Sequence, residues 1–290
     1  MAIPEKIISE IKNLKIQGAR AVALAGLKAM EAVIKTAKDI KEVKTYSQKI
    51  ASARPTEPSL RNAITYVIMK VEQAGNLQAA KKAGIAACAE YRKRLEESLD
   101  MIAEIGAGLI EDGDTILTHC HASSVMVILK RAKKKGKKFD VIVTETRPLY
   151  QGLITAKELL AAKIPVIYCV DSAIGWVMKK VDKVLVGCDA ILADGSIVNK
   201  IGTFPIAITA KAFSTPFFVS AGTYKFDPQT VLGIREIIEE RAPKEIIEEK
   251  KLKGAKIINP AFDITPPEYI HALITEKGII RPELVREIML

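Results

Sequence analysis

The chain has 290 residues, with 44 Lys and Arg against 34 Asp and Glu and a formal net charge of +10 at pH 7. That length can bury a large core in one large domain or two modest ones, and 49% hydrophobic with 27% charged residues excludes a disordered composition. No run reaches the roughly 18 apolar residues of a membrane span, and residues 1–9 lack the apolar core of a signal peptide, so a soluble cytoplasmic protein without a membrane partner is expected.

Residues 5–109 read almost wholly as helix. Leu27, Met30, Ile34 and Ala37 mark one amphipathic stripe, and Cys88, Tyr91, Leu95, Leu99, Ile102 and Leu109 mark a second, close to heptad spacing. Between them Pro55 and Pro58 break the pattern, and Ser59 is placed to cap the helix that follows. The expectation is a helical amino-terminal domain over residues 1–110, a bundle interrupted by one polar loop.

From residue 111 to 290 the grammar changes. Strand-like runs at 114–118, 139–144, 164–170, 183–187, 216–220 and 255–259 alternate with helical stretches. That alternation predicts an α/β fold with a Rossmann-like, mostly parallel sheet covered on both faces. Neither a G-x-G-x-x-G nor a Walker A sequence follows any of these strands, so no dinucleotide or nucleoside triphosphate site is expected. Residues 237–253 mix acidic and basic side chains and read as an exposed connection.

Two residues at strand ends are candidates to carry chemistry. Cys120, in Thr118-His119-Cys120-His121, lies where a strand hands over to a helix whose apolar positions are Val125, Ile128, Leu129 and Ala132. Exposed N–H groups at a helix start favour an anion, which predicts a lowered thiol pKa and an acid/base role. Asp189 closes the run 183–187, and ligands of open α/β sheets bind outside the carboxyl ends of the strands. The bland alternative is a small buried hydrophobe and a turn residue. Asn199 and Lys200, after the turn at 193–196, would project beside Asp189 and suit an oxyanion or phosphate. Arg147 ends another strand and Lys225 follows a third, so several cationic or amide groups gather as a bisphosphate would require.

Other features read as structural. His119 and His121 flank Cys120, but zinc needs three or four ligands and none follow at motif spacing, so no metal is expected. The four cysteines show no C-x-x-C spacing and imply no disulfide scaffold. The basic run 130–138 looks like the solvated end of a helix, where positive charge suits the dipole. With only 5% aromatic residues there is no stacking platform, and nucleic acid is not an expected partner.

The motifs taken in order resemble the superfamily of initiation factor 2B α/β/δ subunits and methylthioribose-1-phosphate isomerases, over nearly the full chain. They are Ile16-Gln17-Gly18-Ala19-Arg20, Thr118-His119-Cys120, Val143-Thr144-Glu145-Thr146-Arg147-Pro148, Gly187-Cys188-Asp189, Val198-Asn199-Lys200-Ile201-Gly202-Thr203, Thr223-Tyr224-Lys225-Phe226 and Phe262-Asp263-Ile264-Thr265-Pro266. Within it the likeness is greatest to the archaeal ribose-1,5-bisphosphate isomerases, which make ribulose 1,5-bisphosphate in nucleotide salvage. The resemblance implies an aldose–ketose isomerase with no metal or organic cofactor, a phosphorylated sugar as substrate, and a homodimer or higher homo-oligomer. It assigns catalysis to Cys120 and Asp189 and substrate contacts to Gly18, Ala19, Arg54, Arg147, Asn199, Lys200 and Lys225. Two positions depart from the isomerase pattern. Gln17 stands where those enzymes tend to carry Arg, and Ala122 where they often carry Ser. A regulatory subunit resembling initiation factor 2B and a methylthioribose-1-phosphate isomerase are the alternatives.

Overall fold

Helices α1 (Ile3–Lys12), α2 (Ala19–Thr36), α3 (Ile40–Ala51), α4 (Pro58–Glu72) and α5 (Leu77–Gly108) carry the apolar stripes of the first part of the chain. These and all later elements come from a computed structural model, which describes residues 3–289. The chain divides into a first unit, Met1–Ser98 with Tyr224–Phe226, and a second, Leu99–Thr223 with Asp227–Leu290.

In the first unit Leu27, Met30, Ile34 and Ala37 are buried in one core with Cys88, Tyr91 and Leu95. Three breaks besides the proline loop separate the helices, at residues 13–18, 37–39 and 73–76, so the single expected interruption is corrected to four. Asp39 caps α3 by accepting from the Glu42 N–H at 2.7 Å, the arrangement its short carboxylate favours. Ser59 does not cap α4. Pro58 occupies the first turn and Glu57 the cap position, which leaves the Ser59 hydroxyl one step inside the helix, where it donates to the Ala19 carbonyl at 2.9 Å.

The second unit begins within α5, and there the near-heptad stripe changes partners. Ile102 joins a core that contains no residue of the first stripe. Its strands are β1 (Thr115–Thr118), β2 (Asp140–Thr144), β3 (Val166–Cys169), β4 (Lys183–Gly187), β5 (Ala190–Ile191), β6 (Ile197–Lys200), β7 (Phe217–Ser220), β8 (Phe262–Thr265), β9 (Ala272–Thr275) and β10 (Gly278–Ile280). Seven form one sheet in the order β10-β9-β7-β4-β1-β2-β3, parallel except for β10 at its edge. The other three, β5-β6-β8, form a small antiparallel sheet.

Side chains alternate across the large sheet. Ile116, Val141, Val143, Leu185 and Phe218 face a core built with α6 (Ser123–Lys134) and α7 (Gln151–Ala161). The intervening Leu117, Ile142, Val184, Val186, Phe217 and Val219 are buried on the opposite face, the side of α9 (Thr203–Ala212), beside which the short α8 (Ile174–Val177) packs. A final helix, α10 (Val285–Met289), follows β10.

The strand expected at 255–259 is absent. Ile258 is 61% exposed and that run pairs with nothing in the sheet, while the pairing partner of β6 comes slightly later as β8. The connection at 237–253 holds two 3-10 turns, Pro243–Glu245 and Glu249–Leu252. Part of the basic run 130–138 makes ion pairs and helix-end contacts. Lys130 meets Glu158, Arg131 meets Asp100 and Glu104, and Lys137 donates to the Ala107 carbonyl at the end of α5.

Candidate active site

Cys120 lies in the turn between β1 and α6, ahead of Ala122, the residue at the cap position of that helix. Its backbone is left-handed, φ +68°, a conformation that side chains with a Cβ rarely adopt. Two threonines from neighbouring elements hold it there. The Cys120 N–H donates to the Thr146 hydroxyl at 2.9 Å, and the Thr155 hydroxyl donates to the Cys120 carbonyl at 2.8 Å.

Asp189 follows β4, and its N–H donates to the Val198 carbonyl at 2.8 Å, which continues the pairing of β5 with β6. Gly187, at the end of β4, lies against the cap of α6, where an added Cβ would come within 2.4 Å of the Ala122 Cβ. A bare backbone there lets the turn bearing Cys120 settle onto the strand that leads to Asp189. Asn199 and Lys200 end β6, both buried. The Asn199 amide donates to the Thr203 hydroxyl at 2.9 Å, and the Lys200 ammonium sits 4.8 Å from the centre of the Phe262 ring.

The thiol feels these groups directly. Burial pushes the Cys120 thiol up to about 11, the Lys200 ammonium and a hydrogen bond from the His121 N–H pull it down, and the carboxylates of Asp189 and Asp171 push it up again. The lowered thiol expected from a helix start is therefore corrected. Cys120 stands before the capping residue rather than in the first turn, and desolvation next to two carboxylates outweighs the helix end. The group is a protonated thiol at neutral pH, ready to give a proton.

Neither histidine beside it is turned out as a ligand. Burial lowers the His119 pKa, and its Nε2 lies 2.9 Å from the Ile201 carbonyl, which only accepts. The ring is thus neutral with the proton on Nε2, and Nδ1 accepts from the Thr144 hydroxyl at 2.6 Å. His119 ties the ends of β1 and β2 to the loop after Lys200. Gly202 holds φ +103° there, a conformation that side chains with a Cβ rarely adopt, and a Cβ would also come within 3.2 Å of His119 Nε2. His121 turns to Thr155 at 3.0 Å and to Glu158.

The Arg147 side chain is held by local partners and by the loop at Ile246. Its guanidinium donates to the Tyr150 hydroxyl at 2.9 Å and to the Ile246 carbonyl at 3.0 Å, and lies over the Tyr150 ring. The remaining candidates belong to the first unit. Gly18 opens α2 with φ +85° and no side-chain cap, Ala19 is buried behind it, and Gln17 donates to its own turn at the Leu14 carbonyl. Arg54 is buried and paired with the buried carboxylate of Glu57 at 3.5 Å. Lys225 is buried in a turn that Asn62 holds by donating to the Tyr224 and Phe226 carbonyls at 2.9 and 2.8 Å. Sequence reasoning passed over Thr144, Thr146, Thr155 and Asp171. The one available signal was the Thr-x-Thr at the end of β2.

A mostly parallel sheet that places a thiol and a carboxylate just past the carboxyl ends of two strands, with an ammonium at the end of β6 in the small antiparallel sheet, defines an α/β protein with its polar chemistry at the carboxyl edge. The chain belongs to the initiation factor 2 subunit family, whose model matches residues 15–282. It is 44% identical over 298 residues to the ribose 1,5-bisphosphate isomerase of Pyrococcus furiosus, covering 98% of this chain and 92% of the relative. With the ribose 1,5-bisphosphate isomerase of Thermococcus kodakarensis the identity is 43% at the same coverage. The crystal structure of the Pyrococcus horikoshii OT3 translation initiation factor eIF-2B superposes with a TM-score of 0.85 at 31% identity, over 96% of this chain and 97% of that one.

Proposed function

We propose that the protein is a sugar-phosphate aldose–ketose isomerase that converts ribose 1,5-bisphosphate into ribulose 1,5-bisphosphate in nucleotide salvage. The observation that carries this reading is a protonated thiol under the joint influence of Asp189 and Lys200, in a chain 44% identical to a protein named for that reaction. A phosphate on C1 locks the sugar as a ring. The ring oxygen must gain a proton as its bond to C1 breaks, the hydrogen on C2 must pass to C1, and the hydroxyl on C2 must lose its proton as the ketose forms. Cys120 gives the proton that the ring oxygen gains, and Asp189, from across the site, accepts the one that the neighbouring hydroxyl loses. Lys200 and Asn199 take phosphate or hydroxyl oxygens, and Gly18, Ala19, Arg54 and Lys225 are further phosphate contacts in this reading. Arg147 joins them by exchanging the Ile246 carbonyl for a phosphate oxygen.

The test is to incubate the purified protein separately with ribose 1,5-bisphosphate and methylthioribose 1-phosphate and follow the ketose. Turnover of the first alone supports the assignment, and turnover of the second alone moves the substrate to the methylthio sugar. A regulatory role is the second reading, favoured by Gln17, whose amide is folded onto its own turn, and by the likeness to the initiation factor structure. Protein inert toward both sugars that binds initiation factor 2 tightly at moderate salt would establish that role instead.

The working form in this proposal is a homodimer. Edge strand β3 supports it, because Ile167 and Tyr168 point to opposite faces and are 48% and 44% exposed, with Leu160 and Val170 open nearby. Light scattering at micromolar protein should give twice the chain mass, and a monomer would exclude it.

A further inference from the structure

We propose that Thr155 and Thr146 are positioning residues for Cys120, clamping its peptide from both sides so that the thiol is held in its left-handed turn beside Asp189 and Lys200. This rests on the isomerase reading for the meaning of the thiol, though not for the clamp itself.

A non-glycine residue at φ +68° costs free energy and persists only where its surroundings impose it. Cys120 has no intrinsic reason to adopt it, since its side chain makes no local hydrogen bond of the kind that lets Asn or Asp do so. What the surroundings supply are two hydroxyls. Thr155 is fully buried in α7, where a threonine would ordinarily bond back to its own helix. Its single proton goes instead to the Cys120 carbonyl at 2.8 Å, so at the 3.0 Å contact the Thr155 oxygen accepts from His121 Nδ1. Thr146 accepts the Cys120 N–H on the other side and is itself left-handed, at φ +61°. Its backbone is anchored in turn. One oxygen of Asp171 accepts the Thr146 N–H at 2.8 Å and the other accepts the Arg147 N–H at 2.7 Å.

A glycine makes the clamp possible. A Cβ on Gly152, in the first turn of α7, would lie 1.7 Å from the Thr144 carbonyl oxygen. Its absence lets α7 press onto the end of β2, and that close approach brings Thr155, one turn later, to Cys120. The chain thus spends two buried hydroxyls, a carboxylate and a glycine on the backbone of one residue. None of these groups caps α6, whose cap residue has no side-chain partner. Released from the clamp, Cys120 would relax to negative φ and swing its thiol away from the two carboxylates.

Thr155→Val and Thr146→Val remove each hydroxyl at constant shape, and the Ser variants keep it. The first readout is the pH dependence of Cys120 alkylation by iodoacetamide, followed by mass on the Cys120 peptide, which needs no enzyme activity. The second is kcat and KM on ribose 1,5-bisphosphate. In the Val variants the thiol titration should fall from about 11 toward the ordinary value of about 8.5. Their kcat should drop roughly ten- to hundredfold with KM changed less than about twofold, the signature of a misplaced group rather than lost binding. The Ser variants should restore both. If Thr155→Val fails to fold, Thr155→Ala, which puts no apolar branch beside His121, is read the same way. Folded Val or Ala variants with wild-type titration and kcat would overturn the clamp. If the wild-type protein is inert on the sugar, the isomerase reading alone fails, and the titration still decides whether the threonines position the thiol.

Discussion

Gly187→Ala tests whether the turn bearing Cys120 is seated on the strand that leads to Asp189. The new Cβ would stand 2.4 Å from the Ala122 Cβ and 3.9 Å from the Ala122 Cα. Carbon atoms in contact prefer about 3.5–4.0 Å, so the overlap exceeds an ångström. Neither group can rotate away, because a methyl carbon on each backbone is fixed by that backbone. The glycine has no positive φ, so the alanine itself is unstrained, and the whole effect comes from the collision. The turn must lift off β4, at an overpacking cost of about 1–3 kcal/mol. Moving the thiol from the carboxylate by about an ångström should lower kcat by about a hundredfold. Urea unfolding followed by circular dichroism gives the first quantity and turnover of ribose 1,5-bisphosphate the second. The control is Ala122→Gly, which removes the other side of the collision at a cap position where glycine is no worse than alanine. In the double variant both losses should recover most of the way, with a coupling well above about 0.5 kcal/mol. Gly187→Ala with unchanged stability, or a loss that Ala122→Gly does not relieve, would refute the packing argument.

Other outcomes follow from the same geometry. Cys120→Ser and Asp189→Asn should each lower turnover by about a hundredfold or more while the circular dichroism spectrum stays that of the wild type. A near-normal rate in either removes that residue from the chemistry. Because the thiol is held at about 11, a step that needs it protonated persists through neutral and moderately alkaline pH and fails only as pH rises through about 11. An activity limb attributable to Cys120 below pH 8 would contradict this. Lys200→Ala removes the charge that pulls the thiol down, so Cys120 should titrate still higher. In an Asp189→Asn background, Lys200→Ala and Arg54→Ala should each weaken calorimetric binding of ribose 1,5-bisphosphate, and equal affinity would take them out of the phosphate contacts.

Much of the sheet could be read from local pattern because parallel strands buried on both faces are short continuous apolar runs bounded by turn residues. The run 183–187 matches β4 to the residue, and β1, β2, β3 and β7 lie inside the stretches expected for them. The small antiparallel sheet was not legible for the opposite reason. In β6 the residues after Val198 are Asn199 and Lys200, and in β8 Asp263 interrupts the apolar residues, so the strands that carry polar groups do not look like strands. Asp263 shows why they are strands all the same. Its carboxylate accepts from the Gly202 and Phe204 N–H groups at 2.8 and 3.2 Å, a long-range contact that no window of sequence contains. The run 255–259 misled in the reverse direction, since β-branched residues without a partner strand make only an exposed loop.

The candidate site divides along the same line. That Cys120 and Asp189 follow directly on strands was legible, because strand ends are local. The state of the thiol was not, because it depends on what three other elements bring to it. The helix start that suggested a thiolate is a local feature, and it is outweighed by burial and by carboxylates arriving from the ends of β3 and β4. The left-handed turn was hidden for a related reason. Glycine or asparagine at position 120 would have announced positive φ from sequence, whereas a cysteine there is explained only by Thr146 and Thr155, placed respectively by Asp171 and by the missing side chain of Gly152. If the proposed acid is the Cys120 thiol, it cannot be replaced by the residue its backbone would prefer, so the conformational cost is carried by neighbours. Strain at the proposed acid and the buried hydroxyls of Thr146 and Thr155 beside it are then two signs of one requirement.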